Sequence, residues 1–381
     1  MADAEEKLGV IIAGGGVAGL ETALALADLA PDRTAVTVIA PNNEFFYRPM
    51  TVLEPFSYGL AERYKLAPIV RDAGAELLSG QLASVDPAEQ TIKTKGGESL
   101  GYGALLLALG GRLEPRYEHA LTIDDRHLDE TLHGLIQDVE GGYVRRIAFV
   151  SPGRMPWQLP LYELAMMTAA RAYDMEEELA VTILTPEDRP LAIFGEAASE
   201  AVRGELERAH IETINSAYCE VPHRGEVLVN PGGRRLQVDR VVALPELYGP
   251  SVGGLPVAEN GFIRVDRFGQ VPDAGPVFAA GDATDFPVKH GGLGAQQADT
   301  AAGAIAALAG VEVTPEPFSP VIHGMLLTGG KPLYLSAHIT GGQGLSSKVS
   351  DTPPWSPPAK IYAKYLGQYL AEHPAETPSR R

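Results

Sequence analysis

The chain has 381 residues, 45% of them hydrophobic, with 31 basic against 49 acidic side chains and a formal net charge of -18. That length suggests roughly two and a half domains and more than one sizeable core. The acidic surplus repels phosphate backbones and anionic membrane surfaces, which argues against nucleic acid as a partner. The 42 glycines and 30 prolines form no low-complexity block, so collagen-like and disordered classes are set aside. The single cysteine, Cys219, permits no internal disulfide, no Cys-x-x-Cys zinc site and no dithiol redox pair. It fits a reducing compartment. The N-terminus from Met1 to Lys7 is acidic and lacks the basic stretch of a signal peptide. No run reaches the roughly 18 apolar residues of a spanning helix. A cytoplasmic location without a transmembrane segment is the expectation.

In chain order, an apolar strand at Gly9 to Ala13 is followed by Gly14-x-Gly16-x-x-Gly19. A helix runs from Leu20 to Leu29, and a second strand occupies Ala35 to Ala40. Strand, glycine loop, helix and strand in about 30 residues make a βαβ unit. Short strands follow at Gln90 to Thr94 and Ala104 to Leu109. A weaker copy of the unit begins at Ile147 to Val150. It has a loop from Ser151 to Pro160, a helix from Leu161 to Arg171 and a strand from Ala180 to Leu184. A third glycine-rich region starts at Val277 and passes Gly281-Asp282 and Lys289-His-Gly-Gly into an alanine-rich helix from Ala295 to Leu308. Strands are expected at Val321 to Leu327 and Leu333 to His338. A polar loop and a last helix from Pro357 to Glu372, capped by Ser356, follow.

Gly14 allows the tight turn of the first motif. Gly16 lets backbone approach a pyrophosphate, Gly19 lets helix and strand pack closely, and the helix N-terminus faces the anion. The acidic residue expected at the end of the second strand is absent, because Ile39 is followed by Ala40. Either Asn42 or Glu44 takes over the ribose, or backbone and water hold it. Taken alone, Gly281-Asp282 reads as an ordinary turn. No histidines have ligand spacing, so no metal site is expected. The absence of a Gly-x-Ser-x-Gly elbow argues against a serine hydrolase of that type.

Three motifs in order, Gly14 to Gly19, Ala108-Leu-Gly110 and Gly281-Asp282, resemble the two-dinucleotide-binding-domain flavoproteins of the pyridine nucleotide-disulfide reductase superfamily. The resemblance covers about residues 8 to 310. It implies that the first glycines cradle the FAD pyrophosphate and that Gly110 closes the first half of the FAD domain. It also implies that Asp282 binds the ribityl chain and that the next helix points at the isoalloxazine. Further cofactor contacts are expected at Ala18, Asn42, Arg48, Ala83, Lys289 and Gly294. Within the superfamily, the stretches from Val38 to Pro49, Pro160 to Glu163 and Lys289 to Asp299 look most like sulfide:quinone oxidoreductases and type II NADH dehydrogenases. Those branches pass electrons from flavin to a quinone.

The second copy fits neither branch. Its loop keeps only Gly153, flanked by Pro152, Arg154, Met155, Pro156 and Trp157, so it offers few amides to a second pyrophosphate. Arg154 leaves weak NAD(P)H binding open. Where sulfide-oxidising relatives carry a reactive thiol, this chain has Trp157, and Cys219 on a predicted strand reads as a packed small hydrophobe.

Three side chains are the candidates for catalysis. Glu163 either relays protons or satisfies a helix dipole. The resemblance gives Lys289 the role of stabilising the reduced ring. It also has Trp355 wall the flavin pocket, the alternative being a packed or dimer-forming tail. Little supports membrane contact by the tail, although peripheral contact stays open.

The expected fold is α/β, with two Rossmann-like domains and a C-terminal cap. Residues 1–110 and 255–315 form a discontinuous FAD domain, 111–254 a degenerate NAD(P)-binding-like domain, and 316–381 the cap. The expected protein is a homodimeric FAD-dependent oxidoreductase that passes electrons from a small-molecule donor to a quinone or similar acceptor. The alternatives are an NAD(P)H dehydrogenase and a flavin-carrying sensor with little turnover.

Overall fold

The computed structural model describes residues 6–340 and 343–375. Met1 to Glu5, most of the acidic N-terminus, lie outside them.

Two five-stranded parallel sheets organise the chain. The first runs, edge to edge, through Val277–Ala279, Ala104–Leu107, Leu8–Ala13, Thr34–Ala40 and Glu76–Ser79. Its central strand is apolar on both faces, as a parallel strand covered on both sides must be, and Val10 to Ala13 are all buried. Parallel neighbours need a crossover rather than a hairpin. The helix Val17–Leu29 supplies it between Leu8–Ala13 and Thr34–Ala40.

The second sheet runs through Leu121–Thr122, Arg240–Ala243, Arg146–Val150, Ala180–Leu184 and Ile211–Ile214, again all parallel. Its crossover helix is Leu159–Asp174. The weaker repeat read in the sequence is therefore a second α/β layer of the same construction. The chain leaves the first sheet after Leu107 and returns to it at Val277.

The helix Gly291–Leu308 packs along Val17–Leu29 through alanine and glycine. Ala295, Ala298, Ala301 and Ala302 face Ala18, Ala23 and Leu26 in one buried cluster. Side chains this small bring two helix axes close together. The helix begins four residues before the expected start, because the ring of His290 caps it at Gly292.

Two expectations for the tail are corrected. The polar stretch after His338 is not all loop. Gln343–Ser350 is an antiparallel strand paired with Leu333–Thr340, which pairs in turn with Val321–Leu326. The last helix covers only Leu366–Glu372. Residues 357–365 are irregular because their polar groups bond to distant partners rather than to a helical ladder. Lys360 reaches Glu163 and Ile361 N–H reaches Tyr47, while Tyr365 N–H reaches Glu21.

Candidate functional site

The first glycine loop has a geometry that only glycine supports at two positions. Gly14 has φ +125°, donates its N–H to Ile39, and would place a Cβ 2.1 Å from the Ala108 carbonyl oxygen. A Cβ on Gly19 would lie 1.9 Å from the Gly14 carbonyl oxygen. Gly16 differs, because nothing lies within 4 Å of where its Cβ would be. The first helical bond runs from Leu20 N–H to Gly16 at 2.9 Å. Among the described residues no acceptor meets the amides of Gly15 to Gly19, and no side chain caps the helix. Open space in front of unpaired amides at a helix N-terminus suits a phosphate group.

The third glycine region folds onto this loop. Gly281, at φ +75°, would place a Cβ 3.2 Å from the Ala18 methyl, and a Cβ on Gly294 would lie 3.1 Å from the Gly281 Cα. Ala18, Gly281 and Gly294 come from three separate stretches and meet at one point. Gln297 holds the turn by accepting the Gly281 N–H at 2.8 Å. Asp282 beside it has no hydrogen-bond partner among the described residues. Burial pushes its carboxyl above the ordinary range, opposed by the charges of Lys289 and Arg48. Arg48 is half-exposed and 3.5 Å from Asp125. An acid left unbonded at a strand end is able to accept from hydroxyl groups of a ligand. The unpaired amides, the tight glycines and this free acid together fit FAD.

The remaining cofactor candidates are more peripheral. Gly110 turns at φ +69° in open space. Asn42 is exposed in the turn after Thr34–Ala40, and Ala83 is exposed on Leu82–Asp86. Lys289 is buried. Its ammonium donates to the Thr284 carbonyl and sits 4.0 Å above the Phe262 ring. Burial pulls its pKa down to about 8, against the pull of Asp282 and Asp285.

Glu163 has both oxygens engaged. They accept from Lys360 Nζ at 2.6 and 2.7 Å, and Oε1 also accepts the Leu327 N–H at 3.0 Å. Lys360 donates further to the Pro49 carbonyl. Burial raises the Glu163 pKa and lowers that of Lys360, each opposed by its partner. One ion pair thus ties the second crossover helix to the tail and to the 48–56 segment. The sequence reading missed Lys360, since the partners are 197 positions apart and no local spacing connects them.

Around this pair lies a group of aromatic and imidazole rings. Trp157 packs on His290 at 4.7 Å and on Phe194 at 5.9 Å. Trp355 packs on His323 at 5.0 Å and on Tyr334 at 5.4 Å, and its indole donates to Ala359. His323 also meets Tyr362 at 5.1 Å. His290 accepts from Gly292 N–H through Nδ1. Burial, with His323 and Lys360 nearby, holds its pKa down at about 3, so the ring is neutral with its hydrogen on Nε2.

The entrance to the second crossover helix is built differently from the first. Tyr218 lies over Gly153, and Pro160 removes an amide from the first turn. The Gln158 side chain is bonded to Thr185. The acid after the second strand of this unit, Glu187, is also occupied. It accepts from Tyr162 at 2.9 Å and from Ala192 N–H at 3.1 Å, and burial lifts its pKa to about 7. Cys219 packs beneath Tyr117 on Tyr218–His223, and burial alone pushes its thiol up to about 12. Among the described residues no helix is long and apolar enough to cross a membrane.

Residues 8–138 and 162–306 match the family described as pyridine nucleotide-disulphide oxidoreductase. A sulfide-quinone reductase from Aquifex aeolicus is 25% identical over 299 residues, 73% of this chain and 69% of that protein. The crystal structure of the sulfide:quinone oxidoreductase from the same bacterium superposes with a TM-score of 0.78 at 21% identity, covering 91% of this chain and 87% of that one. A ferredoxin reductase from Rhodopseudomonas palustris gives 0.67 at 20% identity, with 87% and 83% covered. The chain belongs to the pyridine nucleotide-disulphide oxidoreductase family and is an FAD-dependent oxidoreductase.

Proposed function

We propose that this member of the family passes electrons from a small-molecule donor to a quinone or similar small acceptor, with neither cysteine chemistry nor NAD(P)H as reductant. FAD supplies the electron-pair chemistry when bound. Residues 1–110 and 255–315 are assigned to hold it, with the amides of Gly15 to Gly19 toward its phosphates and Asp282 toward its hydroxyl-bearing chain. Lys289, beside Asp282, places a buried positive charge at this end of the site. Lys360, Glu163 and the surrounding rings exclude water from the face closed by the tail. The similarity to a sulfide-quinone reductase supports a quinone as acceptor.

The observation that carries the reading is the entrance at Trp157. A packed Trp157–His290 pair stands there, with neither a thiol nor a glycine cradle. Sulfide oxidation needs thiolates that form persulfides or disulfides, and the one thiol here is buried and held protonated. A second pyrophosphate would find an amide lost to Pro160, Gln158 tied to Thr185 and Glu187 already bonded.

Anaerobic mixing of the FAD-loaded protein with NADH, NADPH or sulfide tests this. None of the three is expected to bleach the flavin rapidly. Rapid bleaching by a nicotinamide would transfer the function to an NAD(P)H dehydrogenase. Rapid bleaching by sulfide would overturn the thiol argument.

A further inference from the structure

The tail is fastened a second time, a few residues beyond Lys360, by a pair of acids that cofactor binding does not use. Glu21 on Val17–Leu29 is fully buried. Its Oε1 accepts the Tyr365 N–H at 2.9 Å and its Oε2 accepts the Leu366 N–H at 2.6 Å. Against it lies the carboxyl of Asp299, from Gly291–Leu308, at hydrogen-bonding contact. Asp299 Oδ1 is buried and meets no hydrogen-bond donor among the described residues.

Two carboxyls in contact, one fully buried and the other partly buried, do not both ionise. Glu21 carries the charge, because two backbone amides donate to it. Asp299 therefore holds the proton and donates it to Glu21. The other charged and titratable groups facing the pair are few. Lys364 Nζ donates to Tyr365 OH, and Tyr365 OH donates to Asp28 at 3.0 Å. Burial, and then the Glu21 charge, push Asp299 up to about 8, with Lys364 opposing.

What these acids hold lies over the site. The Ile361 side chain comes within 2.8 Å of where a Gly291 Cβ would be, and the Tyr362 carbonyl oxygen within 3.1 Å of the same point on Gly292. The tail thus crosses the first turn of the helix whose Gly294 packs on Gly281. We propose that Glu21 and Asp299 form a proton-held latch, which docks residues 360–372 across the site end of Gly291–Leu308 and releases them as Asp299 ionises. The latch is independent of which molecule accepts the electrons.

The sign follows from linkage. Undocking hydrates Asp299 and returns it toward the ordinary carboxyl value of about 3.8, whereas the docked state keeps the proton until near pH 8. Docking is therefore strongest below about pH 4. It weakens by up to about tenfold per pH unit and levels off above the docked value.

Hydrogen–deuterium exchange of the tail amides in the full FAD-loaded chain reads this directly, after correction for intrinsic exchange. Between pH 6 and 8 the wild-type protection is expected to fall by up to about fiftyfold. Asp299→Asn, which keeps an N–H donor toward Glu21 and cannot ionise, is expected to show flat protection over the same range. A flat wild-type profile, or the same slope in Asp299→Asn, overturns the latch. If that variant does not fold, infrared spectra of wild-type protein labelled with 13C-aspartate decide the matter. A protonated aspartate band present at pH 6 and lost above pH 8 is expected, and its absence at pH 6 overturns the proposal.

Discussion

Removing Lys360 breaks the buried ion pair that joins the tail to the second crossover helix. Glu163 and Lys360 side chains are 1% and 3% exposed, and their two contacts are 2.6 and 2.7 Å. In Lys360→Met the carboxylate keeps only the Leu327 N–H, and the Pro49 carbonyl loses its donor. Stranding one member of a buried pair costs about 3–5 kcal/mol, mostly as the desolvation of the charge left behind. Glu163→Gln combined with Lys360→Met removes both charges and keeps an acceptor for Leu327. The double variant should recover most of that loss, with a coupling of about 2–3 kcal/mol. Urea unfolding of wild type, both single variants and the double variant at pH 7 measures the cycle. A Lys360→Met cost below about 1 kcal/mol, or costs that simply add, would refute the claim that this pair is dry and mutually dependent.

Gly19→Ala brings a Cβ to 1.9 Å from a backbone oxygen, so the purified protein should be both destabilised and depleted of FAD. Gly16→Ala meets no atom within 4 Å, so it should melt normally yet retain less FAD, because the added methyl enters the phosphate space. Absorbance ratios and thermal melts separate the two. Glu187 binds its proton more tightly in the folded state, where its pKa is about 7. Its contribution is therefore complete below about pH 4.5 and is lost as pH rises through 7, at up to about 1.4 kcal/mol per pH unit. Glu187→Gln should lack that slope when urea midpoints at pH 5 and pH 8 are compared with wild type. Cys219, buried with its thiol raised to about 12, should react with thiol reagents only at the rate of unfolding. Fast labelling of native protein would contradict its placement.

The glycine motifs were legible because each one encodes a local demand. Gly14 turns at positive φ, Gly19 admits no side chain, and both lie between a strand and a helix whose apolar patterns are unmistakable. The duplication was legible for the same reason. What stayed hidden was non-local. Lys360 and Glu21 find partners 197 and 344 positions away, so neither shows a spacing that marks it. The tail was misread as one helix because Ser356-Pro357 and the apolar positions after it have a helical signature. Tertiary bonds to Tyr47, Glu163 and Glu21 outweigh that propensity until Leu366. The strand Gln343–Ser350 is not apparent in the sequence because its glycine and three serines have weak strand preference and its partner Leu333–Thr340 supplies the pairing. The role of Lys289 comes from the family resemblance. Its bonding to Thr284 and Phe262 depends on packing that the sequence does not display.

The central claim is an FAD oxidoreductase that serves a quinone-like acceptor without a thiol. Its most direct test is anaerobic stopped-flow mixing of photoreduced, FAD-loaded Cys219→Ala protein with a short-chain quinone. The absorbance of the oxidised flavin is expected to return at the wild-type rate, rising with quinone concentration. Failure of the quinone to restore it in wild type, or its loss in Cys219→Ala alone, would contradict the account.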